Sequence, residues 1–132
     1  MMDVVTSAVE VTGPASLELG TWTISIDDVR TIAWMLENGD LTRVKVLVDR
    51  SFRSFRSYYS ALIELLGRDS VIETRTHAKF AILRNNAWNV AIRSSMNANK
   101  NTRWEQVDVD DDAGICDLFS AHIDALTGKR SA

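Results

Sequence analysis

Val44-Lys45-Val46-Leu47-Val48, closed by Asp49, is the stretch on which the fold turns. A strand of this composition has almost no polar face and must be covered on both sides, as the central parallel strands of α/β sheets are. Upstream, Trp22, Ile24 and Ile26 alternate with Thr21, Thr23 and Ser25, which predicts a strand from Ser16 to Ile26. Ser25 or Asp27 then caps a helix to about Glu37, with Val29, Ile32, Ala33 and Leu36 on one face and Asn38-Gly39 as its stop. Downstream, Phe55, Tyr58, Tyr59, Leu62, Ile63 and Leu66 fall at helical spacing within Ser54 to Leu66, and Gly67 ends the pattern. The βαβα alternation predicts an α/β protein, a mixed β-sheet flanked by helices.

The second half reads as a short strand at Val71 to Glu73, then a β-hairpin. Its arms are His77 to Leu83 and Trp88 to Arg93, joined by Arg84-Asn85-Asn86-Ala87. A polar stretch from Ser94 to Arg103, a strand at Glu105 to Val109 and a helix from Ala113 to Leu126 complete the chain. Residues 1–14 are expected to be a flexible N-terminal segment. No repeat or linker divides the rest, so residues 1–132 read as one domain.

With 132 residues, 45% hydrophobic, 25% charged and a single proline, the composition is that of a soluble globular protein. The net charge of −3 argues against a blanket attraction to nucleic acid. Charge is nonetheless uneven: basic residues gather between Arg43 and Arg56, and Asp108, Asp110, Asp111 and Asp112 form an acidic run. The one cysteine, Cys116, rules out an intramolecular disulfide and a Cys-rich metal centre, and suits a reducing, cytoplasmic setting. No stretch approaches the roughly 18 apolar residues of a membrane span, and the N-terminus lacks a secretory pattern, so no membrane partner is expected.

Chemistry concentrates between His77 and Glu105. Histidine and lysine two apart on a strand project to the same face, so the imidazole of His77 and the ammonium of Lys79 are expected to converge. Such a pair can attack and neutralise a phosphate. Serine and asparagine in the following polar loop, Ser94, Ser95 and Asn97, can donate to phosphate oxygens. A carboxylate can hold an imidazole in the tautomer that makes its other nitrogen nucleophilic. Phosphoryl transfer depends mainly on positioning and charge stabilisation, so a histidine nucleophile calls for no metal and no cofactor.

These residues resemble the H-x-K-x4-D-x6-G-S-x-N signature of the phospholipase D superfamily, followed by its glutamate, and the order of elements from Leu19 to Leu126 is similar to that family's repeat. The resemblance implies that His77 is the nucleophile, or the acid that protonates the leaving group when its twin attacks. It implies further that Lys79 and Asn97 bind phosphate, that Ser95 supports the site and that Glu105 orients the imidazole. Arg84 stands where the family has aspartate, a position regarded there as more structural than chemical. Ser94 replaces the glycine, and the hairpin is longer than the pattern.

Family enzymes combine two such motifs, and this chain carries one, so the resemblance implies a homodimer with both His77 side chains facing one phosphate. Single-motif members resemble small nucleases, which makes nucleic acid the expected partner. The competing expectation is a protein that has lost turnover and binds DNA or RNA in a regulatory or defence-related role. Phosphatidyl transfer at a membrane ranks below both.

Arg50 and Arg53 lie just beyond a parallel strand, where α/β sheets build sites, and are candidates for substrate binding. The aromatics Phe52, Phe55, Tyr58 and Tyr59 suit either a stacking platform or the core, and amphipathic spacing favours the core. Trp22, Trp34, Trp88 and Trp104 read as core or interface anchors, and His122 as a half-buried surface residue.

Overall fold

The computed structural model of the chain describes residues 1–95 and 106–131. Its order is α1 (Met2–Thr12), β1 (Ala15–Thr21), α2 (Ile26–Glu37), β2 (Leu41–Asp49), α3 (Arg56–Leu66), β3 (Val71–Thr74), β4 (Phe80–Arg84), β5 (Asn89–Ser94), β6 (Val107–Asp111) and α4 (Ala113–Ser131). All six strands join one sheet in the order β3-β2-β1-β4-β5-β6. The β3, β2 and β1 strands run parallel, and β4, β5 and β6 follow as an antiparallel meander. The described residues thus form an α/β fold with a mixed sheet and four α-helices. No described helix is long and apolar enough to cross a membrane.

Strand alternation divides the core in two. Leu17, Leu19, Val46, Val48, Ala81, Leu83, Val90 and Ile92 face α1, α2 and α3, while Leu47, Ile72, Phe80, Ile82 and Ala91 face Cys116 and Ile123 of α4. β2 therefore buries side chains on both faces, as its continuous apolar run requires.

Local signals explain most element ends. The Ser25 hydroxyl accepts the backbone N–H of Asp28 at 3.2 Å and caps α2, whose first turn also carries Asp27 and Asp28 against the positive end of the helix dipole. Val29, Ile32 and Met35 then turn inward. Gly67, at φ +87°, takes the chain out of α3 in a conformation that side chains avoid.

Several expected boundaries move. The first strand stops at Thr21, because Ser25 is already committed to capping α2. Residues 1–14, expected to be flexible, instead carry α1, whose Met2, Val5 and Val9 are buried against the sheet. The helix expected from Ser54 begins at Arg56, after a 3-10 turn over Arg50–Ser54 that Asp49 caps. The strand expected at Glu105 to Val109 is β6, two residues later, and the last helix runs on to Ser131.

The arm of the hairpin expected to start at His77 starts at Phe80. The backbone N–H of Thr76 is taken by the Asp49 carboxylate at 2.9 Å and that of Ala78 by the Thr76 hydroxyl at 3.0 Å. These bonds divert the segment from the ladder, so His77 and Lys79 sit on irregular chain rather than on one strand face.

Gly20 is required by the sheet-to-α4 contact. A Cβ there would meet the Phe80 ring at 2.2 Å, and that ring is held in turn by Phe119, with centroids 4.6 Å apart. Gly20→Ala is predicted to destabilise the protein by about 1–3 kcal/mol, the usual cost of overpacking, read as a lower urea midpoint. An unchanged midpoint would show that the Phe80 ring is free to move.

Candidate active site

The site follows from the topology. β3 lies at one edge of the sheet and β4 on the far side of β1, so residues 75–79 must cross the carboxyl ends of β2 and β1 to connect them. Three strand spacings are about 14 Å, which leaves this short segment little slack. Pairing of Gly20 with Phe80, and of Phe80 with Arg93, brings the end of β5 to the same edge. Open α/β sheets bind ligands at this edge.

An irregular segment has no ladder to satisfy its N–H groups, and Asp49 meets that need. One carboxylate oxygen accepts from Thr76; the other accepts from the Ser51 backbone N–H at 3.0 Å and its hydroxyl at 2.5 Å. The Trp22 indole N–H donates to the Ser51 oxygen at 3.2 Å, and the indole stacks on the His77 imidazole with centroids 5.3 Å apart and planes at 26°. His77 is thus held through its chain neighbour Thr76 and through its ring face, and both routes lead back to Asp49.

His77 is exposed and Lys79 half-buried. The Lys79 ammonium donates to the His77 carbonyl at 2.8 Å, which uses one of its three donors and is its one hydrogen bond among the described residues. The Lys79 carbonyl accepts the backbone N–H of Ser94 at 2.9 Å. Ser95 and Gln106 bond reciprocally, the Ser95 N–H to the Gln106 carbonyl and the Gln106 N–H to the Ser95 hydroxyl, each at 3.2 Å. His77, Lys79, Ser94 and Ser95 are therefore brought together. Asn97 and Glu105 lie outside the described residues.

The two arginines differ. Arg50, exposed, opens the 3-10 turn beside the Asp49 cluster. Arg53 is bound by both carboxylate oxygens of Glu73 at 2.7 and 3.0 Å and lies 5.6 Å from the centre of the Tyr59 ring. Arg84 stands at the opposite end of β4, where it binds Asn89 at 3.0 Å and Asp117 of α4 at 2.6 Å. In the acidic run, Asp110 pairs with Arg93 at 2.7 Å and Asp112 accepts the Ile115 N–H at the start of α4.

Asp49, Ser51 and Trp22 were not singled out for chemistry from sequence. The available signal was the aspartate that closes the apolar run Val46 to Val48, which is buried. Amphipathic spacing also misplaced two aromatics: Phe52 is buried, but Phe55 and Tyr58 are 46% and 42% exposed. They form a groove with Trp22, Ile24 and Phe52. Trp34 is exposed too, as is His122, which was expected to be half-buried.

The Ser51 hydroxyl, the Thr76 N–H and the Ser51 N–H all favour the charged carboxylate and hold Asp49 down at about 2, from an ordinary 3.8. Because folding lowers this pKa, the stabilisation is complete above the ordinary value and disappears as pH falls through the range between the two. Asp49→Asn is predicted to unfold at a lower temperature than the parent near pH 7, with the gap closing between about pH 4 and pH 2. A gap independent of pH would contradict this role.

No protein-family model matches the chain, and no curated protein matches it.

Proposed function

We propose that the chain is a phospholipase-D-like phosphodiesterase, a nuclease that acts through a phosphohistidine at a site shared by two copies. The observation that carries this reading is the meeting of His77, Lys79, Ser94 and Ser95 at one sheet edge, with the imidazole stacked on Trp22. An exposed imidazole beside an ammonium suits attack on a phosphodiester and neutralisation of its non-bridging oxygens.

In the first step an imidazole nitrogen of His77 bonds to phosphorus, and the P–O bond to the leaving group breaks. The protonated His77 of the second copy gives its proton to the leaving oxygen. That histidine, now neutral, takes a proton from water, whose oxygen displaces the first imidazole and restores both groups. None of these steps calls for a metal ion. Ser95 and Asn97 would steady the phosphate, Glu105 the imidazole, and Arg50 the flanking backbone.

Two of the three departures from the family signature lie easily with this reading. Arg84 binds Asp117 and Asn89 at the far end of β4, so the exchanged charge is matched by α4 and lies away from His77. Ser94 replaces a glycine, but no described non-glycine residue has positive φ, so its backbone places no demand for one. A cytoplasmic homodimer acting on nucleic acid is the setting this proposal assigns.

Labelled DNA and RNA, single- and double-stranded, incubated in EDTA with the protein and with His77→Ala, test the reading. Cleavage by the parent and at least about 1,000-fold less by the variant is expected, the scale seen when a catalytic group is removed. Light scattering should give about twice the chain mass of 14.8 kDa. Binding without cleavage that weakens in Lys79→Ala would replace the enzyme by a phosphate-recognising protein, and a monomer would remove the shared site.

A further inference from the structure

Next to His77 lies an apolar groove of about 460 Å³, within the roughly 300–1,000 Å³ range of ligand sites. Its walls are Trp22, Ile24, Phe52, Phe55 and Tyr58. Leu62 and Leu66 of α3 are buried, whereas Phe55 and Tyr58 at its first turn are open to solvent. The aromatics support one another: Phe55 lies 6.1 Å from Phe52, and Tyr58 meets Phe55 edge-on at 6.5 Å. Exposing two such rings side by side has a hydrophobic cost that folding alone does not repay.

Trp22 makes the groove part of the site, since the same indole lines it and stacks on His77. Whatever enters is therefore carried next to the phosphate position. A flat, aromatic group attached to a phosphodiester fits those walls, and two exposed arginines, Arg50 ahead of Phe52 and Arg56 between Phe55 and Tyr58, supply positive charge for a strand's further phosphates.

Resting on the phosphodiesterase reading, we propose that this groove takes an unstacked nucleobase adjoining the scissile phosphate, which makes single-stranded nucleic acid the preferred substrate. In a duplex the base is already stacked and paired, and must be extruded before it can enter. A single strand offers it directly, and stacking on aromatic side chains tolerates any base.

The test compares a labelled single-stranded oligothymidylate with an abasic strand of the same number of phosphates, by fluorescence anisotropy in EDTA. Both are titrated with full-length protein carrying His77→Gln to prevent turnover, and with the same protein also carrying Phe55→Ala and Tyr58→Ala. The thymidylate should bind roughly tenfold or more tightly than the abasic strand, as one or two base stacks allow, and the aromatic double change should abolish that preference. Both side chains are exposed, so the altered protein should fold, which circular dichroism checks.

Equal affinity for the two strands overturns the proposal, as does a preference that survives the double change. A drop from dimer to monomer mass caused by the aromatic changes also overturns it, by making the groove a contact between copies. Loss of binding to short-chain phosphatidylcholine micelles in the same variant does so too, by assigning the groove to acyl chains. Failure of the phosphodiesterase reading alone would show separately, as parent protein that cleaves neither strand while the thymidylate preference stands.

Discussion

The Asp49 carboxylate at the end of β2 is the interaction on which the carboxyl edge of the parallel strands depends. Sheet order forces residues 75–79 across the ends of two strands, where no ladder can pair their backbone. Asp49 accepts the Thr76 N–H on one side and both donors of Ser51 on the other, and Ser51 accepts the indole of Trp22. A single charge at the end of a buried strand thus ties the β3–β4 crossing to the turn after β2 and to the segment after β1. His77 is placed as a consequence, between Thr76 in sequence and Trp22 in space.

Fixed charge elsewhere is arranged to keep that edge clear. Glu73 engages Arg53, so the basic turn after β2 is partly neutralised within the fold. Asp117 does the same for Arg84 at the opposite edge, and Asp110 for Arg93 on the meander. The Lys79 ammonium donates to the His77 carbonyl, and among the described residues this is its one hydrogen bond. An overall negative chain thus carries the Lys79 ammonium against the backbone of His77, whose side chain is exposed.

Local signals in the sequence carried much of the fold. The apolar run before Asp49 needed cover on two faces, and β2 has it; Ser25 and Gly67 mark helix ends by capping and by left-handed backbone. What was not legible depends on distant partners. The crossing segment reads as strand because its anchor, the Thr76 N–H bond to Asp49, comes from 27 residues away. The N-terminal helix offers Met1 as its N-cap, with no side-chain capping bond, and its burial is tertiary. Phe55 and Tyr58 share helical spacing with Leu62, but Phe55 is the N-cap and Tyr58 lies in the first turn of α3, where both are exposed, while Leu62 further along is buried. At the site, the expected placing of His77 and Lys79 on one strand face gives way to irregular chain, and the Asp49-Ser51-Trp22 support belongs to no local pattern.

Under the proposed phosphodiesterase mechanism, His77 becomes covalently bonded to phosphorus during turnover. Reaction with a phosphodiester oligonucleotide, quenched in alkali to preserve phosphohistidine and followed by peptide mass spectrometry, tests it most directly. The account predicts a nucleotide adduct on the peptide containing His77, formed within the first turnover and lost as product accumulates. Cleavage with no adduct at any time, or with an adduct on another residue, would contradict it.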